Sequence, residues 1–107
     1  MFKNDWINGE YVSKYVYGRD EPQEKVEKYT PELVETITGI PTKQLMEAAE
    51  IIRTETLLST LFVGVYQSNG ATASAYRVNN ISLLRGMFRK PACGVFQMNG
   101  QPTPQVI

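Results

Sequence analysis

Residues 61–80 read LFVGVYQSNGATASAYRVNN: an apolar run, a polar break at Gln67-Ser68-Asn69-Gly70, then a helix-like pattern. Extended leftward, the apolar run covers 57–65 (LLSTLFVGV). A continuous apolar run bounded by polar residues predicts a strand covered on both faces, as in a parallel sheet. The chain before it, TKQLMEAAEIIRT from Thr42, places Leu45, Ala48, Ala49 and Ile52 on one helical face. Helix, buried strand near 58–65, loop 66–70 and helix 71–86 form the αβα part of a doubly wound α/β fold. In such sheets ligands sit beyond the carboxyl ends of the strands, here Tyr66 to Gly70.

The remaining elements follow from local chemistry. Asn4 is a candidate N-cap for a helix carrying Trp6, Ile7, Tyr11, Val12 and Tyr15, which Gly9 weakens. DEPQEKVEKY predicts a short surface helix with Pro22 in its first turn. Thr30-Pro31-Glu32 is a strong helix start, with Thr as cap, Pro at the first position and Glu favoured by the dipole. That helix should end at Gly39, and the next begins after Pro41. Beyond Gly86 the chain is irregular, with a short strand expected around 95–98. No internal repeat or low-complexity segment is present.

At 107 residues the chain is expected to be one partial domain, with short helices over 1–56 and a strand-loop-helix-loop segment over 57–107. No apolar run reaches the roughly 20 residues that cross a bilayer, so no membrane span is expected. The N-terminal MFKNDWINGE has no signal-peptide h-region, and the compartment is not legible. With no histidine and one cysteine, Cys93, the chain lacks the commonest general base and any multi-cysteine metal set. Cys93 reads as a small packed hydrophobe.

The charges are segregated. All eleven acidic residues lie between Asp5 and Glu55, and residues 1–55 carry seven basic ones, a net −4 for that half. From Thr56 onward there are four basic residues, Arg77, Arg85, Arg89 and Lys90, and no carboxylate. The second half suits an anionic neighbour, although an acid-poor stretch also arises by chance. The aromatic residues are not interleaved with these cations, so no nucleic-acid platform is expected.

Two loops are candidate contact sites. Gln67, Ser68 and Asn69 offer uncharged donors and acceptors suited to a heterocycle edge, and Gly70 permits positive φ or a close backbone approach. The N-terminus of the helix after Gly70 offers free N–H groups to a phosphate. In GQPTPQ, Gly100 lets the backbone pass tightly and Gln101, preceding Pro102, is pushed into an extended conformation. Spacing alone is also met by ordinary turns at both places.

Together these pieces resemble a known family. Tyr29-Thr30-Pro31-Glu32, the Thr38-Gly39-Ile40-Pro41 junction, a strand ending Gly64-x-x-Gln67, a helix with Asn79-Asn80 ending Leu83-Leu84-x-Gly86, a Pro91-x-x-Gly94 turn and Gly100-Gln101-Pro102 occur in order. Over roughly residues 25–103 this set is similar to the catalytic subunit of molybdopterin oxidoreductases, which includes nitrate reductases, formate dehydrogenases and relatives of arsenite oxidase. The resemblance implies an internal segment of a domain that embraces molybdopterin guanine dinucleotide. It puts Gly64 and Gln67 on the strand-end loop beside the pterin and dinucleotide, and the adjoining Ser68 and Asn69 are expected as further cofactor contacts. Gly100, Gln101 and Pro102 fall on the turn under the molybdenum. Gly-Gln-Pro favours the nitrate-reductase branch over the formate-dehydrogenase branch.

The departures define what the chain is expected to lack. The family's iron–sulfur cysteines and its cysteine or selenocysteine ligand to molybdenum are not here. Ala92 replaces the glycine common after the turn's proline. The implied partners are the remainder of the molybdoenzyme subunit and, in that parent, a small inorganic or one-carbon substrate. The parent family is cytoplasmic or periplasmic. No catalytic residue or metal ligand is expected in this chain, and no activity from it alone. The alternatives are a stand-alone nucleotide- or anion-binding module, or an inactive truncated interaction protein.

Overall fold

Helix boundaries in the first half follow the capping chemistry closely. The computed structural model describes residues 1–98 and divides into two units, Met1–Glu55 and the residues from Thr56 on. In the first unit a 3₁₀ turn, Phe2–Asn4, ends at Asp5 in the left-handed region (φ 52°). Helix α1, Gly9–Tyr15, therefore starts later than the apolar spacing suggests. Its cap is Asn8, whose side chain accepts from the Tyr11 N–H at 3.0 Å, not Asn4. The left-handed break at Asp5 separates Asn4 from the helix it was expected to cap. Val12, on α1, is buried.

Helix α2 spans Asp20–Glu27, and α3 spans Pro31–Thr38. Thr30 caps α3 by accepting from the Leu33 N–H at 3.3 Å. Gly39 closes the helix at φ 74°, its N–H donating to the Glu35 carbonyl at 2.8 Å. This left-handed closure is the conformation glycine adopts without a Cβ penalty. Helix α4, Thr42–Thr54, returns alongside α3.

The second unit is a small α/β layer. Strand β1, Leu58–Leu61, pairs in parallel with β2, Gly94–Gln97, with Leu58 opposite Gly94 and Leu61 opposite Gln97. Between them lie the one-turn helix α5, Val63–Tyr66, the long helix α6, Ala71–Leu84, and a 3₁₀ turn, Met87–Arg89. A parallel pair needs such a crossover, so β-α-β is the connection the strand direction requires. Helix α6 and the 3₁₀ turn pack on β2, and the buried residues Leu61, Ser82 and Met87 belong to this unit. The mixed α/β class with parallel strands is the one expected from the sequence.

The strand itself differs in extent. Only Leu58–Leu61 is extended, and Leu58 and Thr60 are exposed while Ser59 is half-buried and Leu61 buried. That alternation marks a one-sided strand rather than one covered on both faces. The reason is hydrogen bonding. Strand β2 ends at Gln97, and the last bond of the pairing runs from the Met98 N–H to the Leu61 carbonyl at 2.9 Å. Residues past Leu61 have no ladder to join among the described residues. Their backbone is satisfied locally instead, with Val65 and Tyr66 N–H groups donating to the Phe62 carbonyl at 2.9 and 3.2 Å.

Candidate functional site

The carboxyl end of β1 delivers the chain to α5, and α5 delivers it to the turn 67–70 that opens α6. Gly64 sits inside α5, and a Cβ built on it meets no heavy atom within 4 Å. Nothing in the packing of the described residues therefore requires glycine at that position. Gln67, Ser68 and Asn69 follow consecutively and all three are exposed. The sequence-predicted residues of the first loop are thus side by side beyond the strand. Gly100, Gln101 and Pro102 lie outside the described residues.

The turn is held by its own backbone. The Ala71 N–H donates to the Ser68 carbonyl at 3.1 Å, and the Ser74 N–H to the Gly70 carbonyl at 2.9 Å. The Ser68 hydroxyl donates to the Val65 carbonyl at 3.0 Å, which commits its proton and leaves its lone pairs outward. Gly70 is the N-cap of α6 at φ −101°, so the positive φ that glycine would permit is not used here. A Cβ at Gly70 would come no closer than 3.9 Å to the Ser74 Oγ.

Helix α6 begins without a side-chain cap and with no acidic residue in its first turn. Its fourteen residues give the N-terminus a partial positive charge, with the Ala71 N–H already taken by the Ser68 carbonyl. Alongside lies an open concavity of about 340 Å³ lined by Tyr66, Ala71, Thr72, Ala75, Tyr76 and Asn79. None of these six carries a formal charge. The sequence reading reached Tyr66 but missed Thr72 and Tyr76, and reached Asn79 only as part of the helix motif. Their spacing of four and three residues within 71–86, which puts them on one helical face, was the available signal.

The arrangement offers neutral hydrogen-bonding groups, aromatic surface and helix-terminal amides. None of the six lining side chains is a carboxylate, histidine, lysine or arginine, and among the described residues no three His, Cys, Asp or Glu side chains come together. No helix of the described residues is long and apolar enough to cross a membrane.

No family model matches the chain. Similarity to individual proteins is extensive. The Bacillus subtilis (strain 168) protein YrhE, named for a formate dehydrogenase, is 26% identical over 98% of this chain. YjgC of the same organism, named for an oxidoreductase, is 27% identical over 98%. The nitrate reductase of Synechocystis is 32% identical over 90%. The chain spans only about 11% of the length of the first two and 14% of the third. Over nearly its whole length, then, the chain is homologous to a small segment of large oxidoreductases of the formate dehydrogenase and nitrate reductase type.

Proposed function

We propose that this chain is a segment of a molybdenum-dependent oxidoreductase, nitrate-reductase-like, and that it contributes contacts to molybdopterin guanine dinucleotide without being active alone. The observation that carries the reading is similarity across 98% of the chain to proteins roughly nine times longer. The higher identity with the Synechocystis nitrate reductase, 32% against 26%, supports the nitrate-reductase branch.

The residues beyond β1 fit such a group. The turn 67–70 is exposed, free of acids and followed by an uncapped helix, which suits a phosphate-bearing ligand. Gly64, open on its Cβ side, admits a close backbone approach. Gln67 and Asn69 supply amide donors and acceptors, and Ser68 supplies hydroxyl lone pairs because its proton is held by Val65. Gly100, Gln101 and Pro102 complete the contact set in this reading, on the strength of the resemblance alone. When bound, the molybdenum supplies oxygen-atom or electron exchange with a small inorganic or one-carbon substrate. This chain positions the cofactor, and the rest of the subunit holds the metal and any iron–sulfur cluster.

The DNA flanking the coding sequence tests the reading. An in-frame cysteine-rich sequence upstream and an arginine-bearing continuation downstream are expected, and in-frame stop codons on both sides overturn it. Purified chain supplied with molybdenum cofactor is expected to leave nitrate unreduced. A second reading, a stand-alone anion-binding module, draws on the uncapped N-terminus of α6. Calorimetric binding of guanine nucleotides at micromolar affinity by the isolated chain would favour it.

A further inference from the structure

The turn 67–70 contains one of the three Asn-Gly pairs in the sequence, Asn8-Gly9, Asn69-Gly70 and Asn99-Gly100. The third lies outside the described residues. The other two are held differently. Asn8 is half-buried, and its Oδ1 accepts from the Tyr11 N–H at 3.0 Å, so its side chain is committed to capping α1. Asn69 and Gly70 are both exposed. Neither the Asn69 side chain nor the Gly70 N–H makes a hydrogen bond with another described residue. The bonds that hold this turn run through its other groups: the Ser68 carbonyl and hydroxyl, the Ala71 N–H and the Gly70 carbonyl.

An asparagine followed by glycine can react with its own backbone, because no Cβ shields the following amide nitrogen. We propose that Asn69-Gly70 is a self-modification site, at which the Gly70 nitrogen attacks the Asn69 side-chain carbonyl in the folded chain. Solvent base takes the Gly70 N–H proton, and a bond forms from that nitrogen to Asn69 Cγ. The Cγ–Nδ2 bond breaks, and ammonia leaves, taking a proton back from solvent. Water then opens the cyclic imide at either carbonyl, leaving aspartate or isoaspartate. No electrons are exchanged, and water is the only co-reactant. The product carries a carboxylate where residues 56–107 have no Asp or Glu. That charge stands directly before Gly70, the N-cap of the fourteen-residue α6, whose partial positive end favours an anion. Under the proposed function, on which this consequence rests, the modification sets like charge against the cofactor's phosphates. The reaction itself does not depend on that reading.

Peptide mass spectrometry of the purified 107-residue chain, incubated in its native state at mildly alkaline pH and then digested, tests the site. Conversion at Asn69 is expected to run roughly fivefold faster than at Asn8, the factor that one capping hydrogen bond commands. Isoaspartate at position 69, labelled by protein isoaspartyl methyltransferase, marks the imide route, since direct amide hydrolysis yields aspartate alone. In urea, which releases the Asn8 cap, the two rates should draw together. Gly70→Ala, whose added Cβ comes no closer than 3.9 Å to the Ser74 Oγ, fits the turn and should slow conversion severalfold. Native conversion at Asn8 as fast as at Asn69, aspartate without isoaspartate, or an unchanged rate in Gly70→Ala overturns the proposal. None of these results touches the segment reading, which the flanking DNA decides.

Discussion

Thr42 donates twice to the carboxylate of Glu35, from its hydroxyl at 2.6 Å and from its backbone N–H at 2.9 Å. The first residue of α4 is thereby tied to the last turn of α3. The backbone N–H of a helix's first turn has no intrahelical partner, so the Glu35 carboxylate serves α4 as a cap supplied from a neighbouring helix. The Thr42 hydroxyl is also 3.4 Å from the Pro31 carbonyl at the start of α3.

This link should make the α3–α4 hairpin sensitive to acid. The Thr42 hydroxyl, and next its N–H, hold the Glu35 carboxyl below the usual carboxylate range. A depressed folded pKa stabilises the fold above the ordinary carboxylate pKa, and that stability is lost as pH falls through the lowered value. Far-ultraviolet circular dichroism during acid titration should show helix loss, and Glu35→Gln should show less of it. The Glu21 carboxyl, lowered by Lys25, and the Glu50 carboxyl, lowered by Arg53, give residual acid dependence in that variant. An identical titration curve for Glu35→Gln would remove the link from the account.

Ala92 occupies the left-handed region at φ 58° in the turn that leads into β2. An L-residue with a Cβ is strained there by about 1–2 kcal/mol, whereas a glycine gives back about 0.5–1 kcal/mol in unfolded-chain entropy. Ala92→Gly should therefore stabilise the chain by about 0.5–1 kcal/mol. A higher urea midpoint with unchanged slope is the expected result. The resemblance already placed glycine at this point of the turn, and the backbone angle supplies the physical reason.

Gly64 should behave oppositely in two settings. In the 107-residue chain Gly64→Ala meets open space inside a helix, so it should be neutral or stabilising by about 0.5 kcal/mol. In the full-length parent the added methyl would stand where the proposed function brings the cofactor close. Molybdenum content of the purified parent variant, measured by mass spectrometry, should fall while its expression is maintained. Undiminished metal content would take Gly64 out of the cofactor contacts.

The exposed face of the strand pair carries Leu58 and Phe96, 49% and 61% accessible, with Phe62 and Met98 beyond them at 48% and 53%. An apolar face beside two short parallel strands invites further association. Sedimentation velocity should show the isolated chain associating as concentration rises. Phe96→Glu should shift it toward monomer. A monomer at all concentrations, with a sharp thermal transition, would contradict the expectation.

The capping signals carried far. Thr30, Pro31 and Gly39 bound α3 where the residue types predict, because caps and left-handed closures are decided within four or five residues of chain. The short strand expected near 95–98 lies one residue earlier, at Gly94–Gln97, where β1 supplies its parallel partner. The apolar run 57–65 was less decisive. Whether Phe62 to Tyr66 extend or coil depends on whether a neighbouring strand offers hydrogen bonds, and no residue within the run encodes that. At the site, Gln67, Ser68 and Asn69 were legible as polar residues at a strand-to-helix break. Their neighbours Thr72 and Tyr76 were not singled out, and Asn79 only as part of the helix motif, because a shared concavity is a property of the folded unit.

What the order of residues determined alone was local: helix starts and stops, the acid-free second half, and the ordered motifs that tie the chain to far longer oxidoreductases. What only the tertiary structure decided was non-local. It set where β1 ends, which face of the strand pair is left open, and which uncharged side chains of α6 meet Tyr66 in one hollow. The division follows from range, since a cap is satisfied by its immediate neighbours while a strand or a pocket wall needs partners brought from elsewhere along the chain.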